Sequence, residues 1–149
     1  MVQISDSLCW ELVKKNTSFM KKVNGRSRRS GTIQFSVEKG NVKSINSFKY
    51  SGLANSKTID IASTADNRGM LSTKTKKAHN EVKKGQAATP LNKDFRRVEH
   101  TIKSQALDNY YRPDLSKDAL AKWSAVYRAN RYAKGIKKTL PMKKGRKTL

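Results

Sequence analysis

The sequence is short of the residues on which most enzymes and secreted folds are built. It contains one cysteine, Cys9, and two histidines, His79 and His100, among 149 residues. A lone cysteine cannot close a disulfide within its own chain, so a secreted, disulfide-stapled fold is excluded. A zinc site needs about four ligands, and these three soft ligands are far apart in sequence. No metal and no cofactor is therefore expected. Acidic residues are scarce as well, 11 in all and scattered singly, so neither histidine has a carboxylate at a recognisable catalytic spacing. The eight glycines form neither a P-loop nor a dinucleotide fingerprint. No apolar run approaches the roughly 18 residues of a membrane span, and MVQISDSLCWELVKK lacks the basic start and long apolar stretch of a signal peptide. These absences predict a non-enzymatic, soluble intracellular protein with no membrane and no small-molecule substrate among its partners.

What the chain has in excess is positive charge. Its 33 Lys and Arg give a formal net charge of +22, against a magnitude of roughly 2 to 8 that suits a small soluble domain. Self-repulsion on this scale opposes a compact free state, and a polyanionic partner relieves it. Nucleic acid is the first candidate and an anionic membrane surface the second. The length fits one domain with extensions, and a hydrophobic share of 36% predicts a small core. Apolar residues fall in periodic segments while basic residues gather where apolar ones are rare. That division predicts a folded body with arms ordered by a partner.

The patterning reads as α+β: a small antiparallel sheet, a short N-terminal helix, two C-terminal helices and a basic extended tail. SDSLCWELVKKN fits a strand through Leu8, Trp10 and Leu12, or a helix through the Leu8/Leu12 and Cys9/Val13 spacings. Asp6 or Ser7 as N-cap tips it toward a helix. SFMKKV (18–23), TIQFSV (32–37), KTIDIAS (57–63) and MLSTKT (70–75) read as strands, the last two forming a hairpin around ADNRG. Residues 1–73 thus form the body, and 74–90 read as a basic linker without apolar periodicity. Residues 91–133 read as a helical hairpin. Phe95, Val98, Ile102 and Ala106 share a face of its first helix, and Ser116 is the expected N-cap of the second, with Leu115 and Leu120 as a hydrophobic staple. Residues 134–149 carry seven basic residues and no acidic one, the composition of a tail disordered until something anionic holds it.

The candidate RNA-binding residues are Lys14, Lys15, Lys21, Lys22, Arg26, Arg28, Arg29, Lys49, Lys57, Lys74, Lys76, Lys77, Arg96, Arg97, Arg112, Arg128 and Arg131, with Lys137, Lys138, Lys143, Lys144, Arg146 and Lys147 in the tail. Each cation that neutralises a phosphate releases condensed counterion, which makes binding strong and salt-dependent. Any one cluster could equally be a solvated surface; the ensemble is more than solubility requires. Tyr110, Tyr111 and Tyr132 are the aromatics placed to stack on exposed bases, although Tyr110 and Tyr111 could instead pack the interhelix junction. Trp10 and Trp123 sit on apolar faces and are expected in the core. Arg112 precedes Pro113, which biases it to an extended conformation. It is aimed either at a phosphate or at Asp114 or Asp108.

SLCWELVKKNTSFMKK, FSVEKGNVKSINSFKYSGLANSKTI and the NYYRPDL turn together resemble the eukaryotic large-subunit ribosomal protein 28 family. The resemblance runs from Ser7 to Ile59 and resumes from Leu91 to Arg131, while 62–88 depart from the pattern and the tail matches only in being basic. It implies a structural, non-catalytic constituent of the cytoplasmic large ribosomal subunit, assembled in the nucleolus, with ribosomal RNA and neighbouring large-subunit proteins as partners. A nucleolar ribosome-assembly factor family has a similar N-terminal domain, but it looks richer in cysteine and carries acidic extensions. A basic DNA-packaging protein is the alternative on charge alone. Within NSFKYSGL (46–53), an extended backbone would put Phe48 and Tyr50 on one face, against the body, and turn Lys49 to a phosphate.

Overall fold

The computed structural model describes residues 4–21, 33–76 and 85–136. Helix α1 (Asp6–Val13) is followed by the two-residue strands β1 (Met20–Lys21) and β2 (Phe35–Ser36), which pair antiparallel. Strands β3 (Ile59–Ser63), β4 (Gly69–Lys74) and β5 (Gln86–Leu91) form a three-stranded antiparallel sheet with β4 in the middle. Helices α2 (Phe95–Ile102) and α3 (Ser116–Ala133) close the chain order. The fold is α+β, with helices at both ends of the described chain as the pattern implied.

Strand periodicity builds the main core. Ile59 and Ile61 of β3 and Leu71 of β4 point inward at spacing two and are fully buried. Val98 and Ile102 of α2, Ala106 and Leu107 beyond it, Leu115, and Ala119 and Trp123 of α3 cover that face. The expected hairpin forms, with Ser63 paired to Gly69. Its turn closes through Thr64 N–H donating to Arg68 O at 2.8 Å, and Asn67 takes a φ of 54° that Asn tolerates better than most residues. Gly69 is required by packing: a Cβ there would lie 2.5 Å from Trp123 Cζ3.

Several local expectations need correction. Residues 86–90, read as part of a linker, are strand. QAATPL is poor in β-branched residues, but the free edge of β4 accepts it, Leu71 opposite Thr89 and Met70 opposite Pro90. Pairing overrides weak propensity here, and Pro90 is tolerated because β5 is an edge strand. The four predicted strands divide between two sheets, and the first two are much shorter than 18–23 and 32–37 within the described residues. Ser5, not Asp6 or Ser7, caps α1, its Oγ accepting from Leu8 N–H at 3.4 Å. Ser116 is not a cap, because the 3-10 turn Pro113–Leu115 runs straight into α3 and Ser116 is already helical. The Val98–Ile102–Ala106 face continues past α2 through a π-helical turn, Lys103–Leu107.

NSFKYSGL is a chain of turns and not an extended segment: Tyr50 N–H and Ser51 N–H both donate to Ser47 O. Asn46 Nδ2 donates to Lys14 O at the end of α1, Phe48 packs on Trp10 with ring centroids 6.1 Å apart, and Tyr50 Oη donates to Asp118 of α3 at 2.9 Å. Gly52 N–H donates to the buried carboxylate of Glu38, which also takes Asn41 Nδ2. The stretch therefore joins the N-terminal part to the helical part. Trp10 is only half-buried there, while Trp123 lies in the core as expected.

Candidate nucleic-acid interface

Three groups of described basic residues bear on the expected interface. Lys14 and Lys15 end α1 and Lys21 lies exposed on β1; Lys14 is paired with Glu11 one turn earlier. Arg96 and Arg97 are exposed in the first turn of α2, and Lys76 is exposed beyond β4. Lys22, Arg26, Arg28, Arg29, Lys77, Lys137, Lys138, Lys143, Lys144, Arg146 and Lys147 lie outside the described residues.

The second group surrounds Tyr111 and Arg112. Arg112 Nε and Nη2 grip the two oxygens of Asp114 at 2.8 Å each, while Nη1 donates to Lys57 O and Nη2 to Lys49 O, both at 2.8 Å. The guanidinium has five N–H donors, and this arrangement commits most of them within the protein. Of the two roles the sequence left open for Arg112, the ion pair with Asp114 is the one formed; Asp108 is not its partner. Asp114 is consequently held below the ordinary carboxylate range, chiefly by the hydrogen bonds from Arg112.

Tyr111 packs the interhelix junction. Its hydroxyl accepts from Thr58 N–H at 3.1 Å and Lys74 N–H at 3.0 Å and lies 2.9 Å from Lys74 O, so it bridges the start of β3 to the end of β4. Burial pushes its pKa up. Tyr110, by contrast, is 83% exposed at a φ of 55°. Lys57 Nζ stands 5.7 Å from the Tyr111 ring centre and Lys49 Nζ 5.4 Å from that of Tyr50, both within cation–π reach. Lys74 Nζ is turned inward onto Asn55 O at 3.0 Å. Lys49, Lys57 and Arg112 are thus brought together, with two ammonium groups left at the surface.

The third group was only half visible in the sequence. Arg131 on α3, a candidate, meets Arg68 from the β3–β4 turn and Lys93 from the β5–α2 connection, which were not candidates, and Lys134 at the end of α3, counted in the sequence as the first basic residue of the tail. They rim a cleft of about 310 Å³ floored by Trp123 and Tyr127, with Asn67, Asn92 and Asn130 also facing it and no carboxylate in its lining. Arg128 borders the adjoining hollow by Phe95, Tyr127 and Arg131. Arg68 and Lys93 stand outside any basic run, so no run of charge could have marked them; only the pairing of β4 with β5 and the packing of α3 bring them beside Arg131 and Lys134.

Comparison with known proteins gives this surface its context. The Ribosomal L28e protein family model matches residues 8–129. The chain belongs to that family. Among curated relatives, the large ribosomal subunit protein eL28 of Dictyostelium discoideum is 33% identical over 131 residues, 88% of this chain and 92% of the relative. The eL28 of Schizosaccharomyces pombe is 28% identical across 91% of this chain and 99% of its own length, and that of Caenorhabditis elegans is 42% identical over 42% of this chain and 45% of its own. The family match begins within α1 and ends within α3, so it includes the Tyr111 cluster and most of the cleft, with Asn130, Arg131 and Lys134 just beyond it. No helix among the described residues is long and apolar enough to cross a membrane.

Proposed function

We propose that this family member is a structural constituent of the large ribosomal subunit that holds ribosomal RNA through its basic surface, next to other large-subunit proteins, on cytoplasmic ribosomes after nucleolar assembly. The observation that carries the RNA-binding part is the gathering of Arg68, Lys93, Arg131 and Lys134 around one cleft without a carboxylate. A solvated surface has no need to exclude acidic residues from one place, whereas a phosphate site does. Exposed Arg96, Arg97 and Arg128 add positive charge on α2 and α3, and exposed Lys49 and Lys57 form a second basic place toward the opposite end of β3. The mechanism is charge neutralisation, which lets RNA helices approach one another, with aromatic and Arg contacts fixing register. The body is held together by its own core and Arg112 network, so it presents these cations as a preformed array.

Gradient fractionation of tagged protein tests the reading. It should co-sediment with the large subunit and translating ribosomes and remain through a moderate salt wash. Recovery only on nuclear precursor particles would make it an assembly factor, and DNase-sensitive, RNase-resistant recovery a DNA-binding protein; either outcome overturns the reading.

A further inference from the structure

We propose that the cleft between α3, the β3–β4 turn and the end of β5 seats one unstacked nucleotide of an RNA strand, its base against the Arg131–Tyr127 pair and its phosphates on Arg68, Lys93 and Lys134. The inference rests on the RNA-binding reading and deepens it by assigning a ligand class to one place on the surface.

Size is the first argument. A cleft of about 310 Å³ lies at the small end of the roughly 300 to 1,000 Å³ typical of small-ligand sites, which suits one nucleotide and not a double helix. Chemistry is the second. The Tyr127 ring packs against Phe95 and Trp123, with centroids 4.9 and 5.7 Å away, and Arg131 lies over it with its guanidinium 5.9 Å from the ring centre, so the cleft is lined by a guanidinium backed by aromatic rings. Flat aromatic and guanidinium surfaces are those on which unpaired bases stack. The three carboxamides each carry a donor and an acceptor, which matches the edge of a base. Asn130 is the most enclosed of the three, its side chain held by Ser63 Oγ donating to Oδ1 at 2.6 Å. Base edges inside a duplex are already paired and their faces covered, so only an unpaired or bulged nucleotide can enter.

Preorganisation is the third argument. Trp123 is pinned by Nε1 donating to Phe95 O at 3.1 Å and by close contact with Gly69. The floor is therefore set before a ligand arrives, which lowers the entropy cost of binding. The cations on the rim come from three separate connections in the chain, placed to meet phosphates on either side of the inserted base.

The test uses the full chain and two RNA hairpins that differ only in a single bulged adenine, with affinity read by fluorescence anisotropy at about 0.15 M salt. The wild type should prefer the bulged hairpin about tenfold, the scale of one base–aromatic stack. Tyr127→Leu should reduce that preference to about twofold or less and the charge-neutral surface change Asn92→Ala should reduce it severalfold. Because the rim cations are untouched, either change should lower affinity for the paired hairpin far less than for the bulged one. If circular dichroism shows that Tyr127→Leu unfolds the body, Asn92→Ala decides. Loss of affinity for both hairpins alike, an unaltered preference in Asn92→Ala and a folded Tyr127→Leu, or no preference in the wild type overturns the nucleotide seat while leaving general RNA binding intact. Failure of the wild type to bind either hairpin sinks both. Competition by free adenosine monophosphate at micromolar concentration would assign the cleft to a free nucleotide and overturn the RNA-strand proposal.

Discussion

The two ends of the body are held by different forces. Around β3–β5, α2 and α3, apolar side chains interlock in one continuous core in which Ile59, Ile61, Val98 and Ile102 have no exposed surface. Helix α1 buries no residue, and Leu8 and Leu12 remain 52% and 61% exposed. It is tied on by the Trp10–Phe48 contact, by Asn46 on Lys14 O, and by Asp6 accepting from Ser56. One end is stabilised by burial and the other by local hydrogen bonds relayed through the NSFKYSGL turns. In a chain this highly charged, burying apolar surface in one place leaves the rest free to present cations.

The comparison predicts a graded response to substitution. Ile61→Ala should have the largest effect, a loss of about 2 to 5 kcal/mol from a buried aliphatic site that cannot collapse fully, read by chemical denaturation. Gly69→Val should also unfold the body or displace Trp123, seen as altered tryptophan fluorescence, because even a Cβ meets the indole at 2.5 Å. Next comes the joint. Arg112→Lys keeps the charge but loses the planar fork, and should cost about 1 to 3 kcal/mol while leaving the salt dependence of RNA binding unaltered. If it instead lowers that slope without destabilising the protein, Arg112 is a phosphate ligand and not a strut.

Two carboxylates sharpen the comparison through pH, with opposite signs. Asp114 has its pKa lowered by Arg112. Its contribution is present above the unfolded value near 3.8 and is lost as pH falls through the lower folded value. Arg112→Lys should therefore weaken the acid transition. Asp60 has its pKa raised, mainly by burial. Its ionisation opposes folding, so stability from this group falls as pH rises from the unfolded value near 3.8 through the folded one. Asp60→Asn, which retains an acceptor for Gly40 N–H, should stabilise the protein modestly at pH 7 and lose that advantage below the carboxylate range; an advantage that persists in acid would rule out the ionisation account. The smallest effect is expected at α1, where Leu12→Ala should change global stability by no more than about 0.5 kcal/mol. A larger loss would mean that the two ends are one cooperative unit.

Much of the architecture was legible in sequence because periodic burial leaves a periodic trace. Ile59 and Ile61 alternate as a strand must, and Val98, Ile102 and Ala106 recur as a helix must. The ADNRG turn announced its hairpin. Strand β5 left no such trace, because an edge strand with one buried residue, Leu91, draws its stability from its neighbour. Nor could the alternation of Phe48, Lys49 and Tyr50 reveal that the segment turns, since aromatic residues in a turn and in a strand look alike until Trp10 and Asp118 arrive from elsewhere in the chain.

The sequence by itself determined the fold class, the family pattern and the excess of positive charge, all of which depend on composition, motifs and short-range periodicity. Tertiary structure alone decided which cations act together. It committed Arg112 to Asp114 and two backbone carbonyls, turned Lys74 inward, and gathered Arg68 of the β3–β4 turn, Lys93 of the β5–α2 connection and Arg131 and Lys134 of the end of α3 onto one cleft. Electrostatic fields add in space and not along the chain, so a binding surface made of residues isolated in sequence becomes visible only once strands have paired and helices have packed.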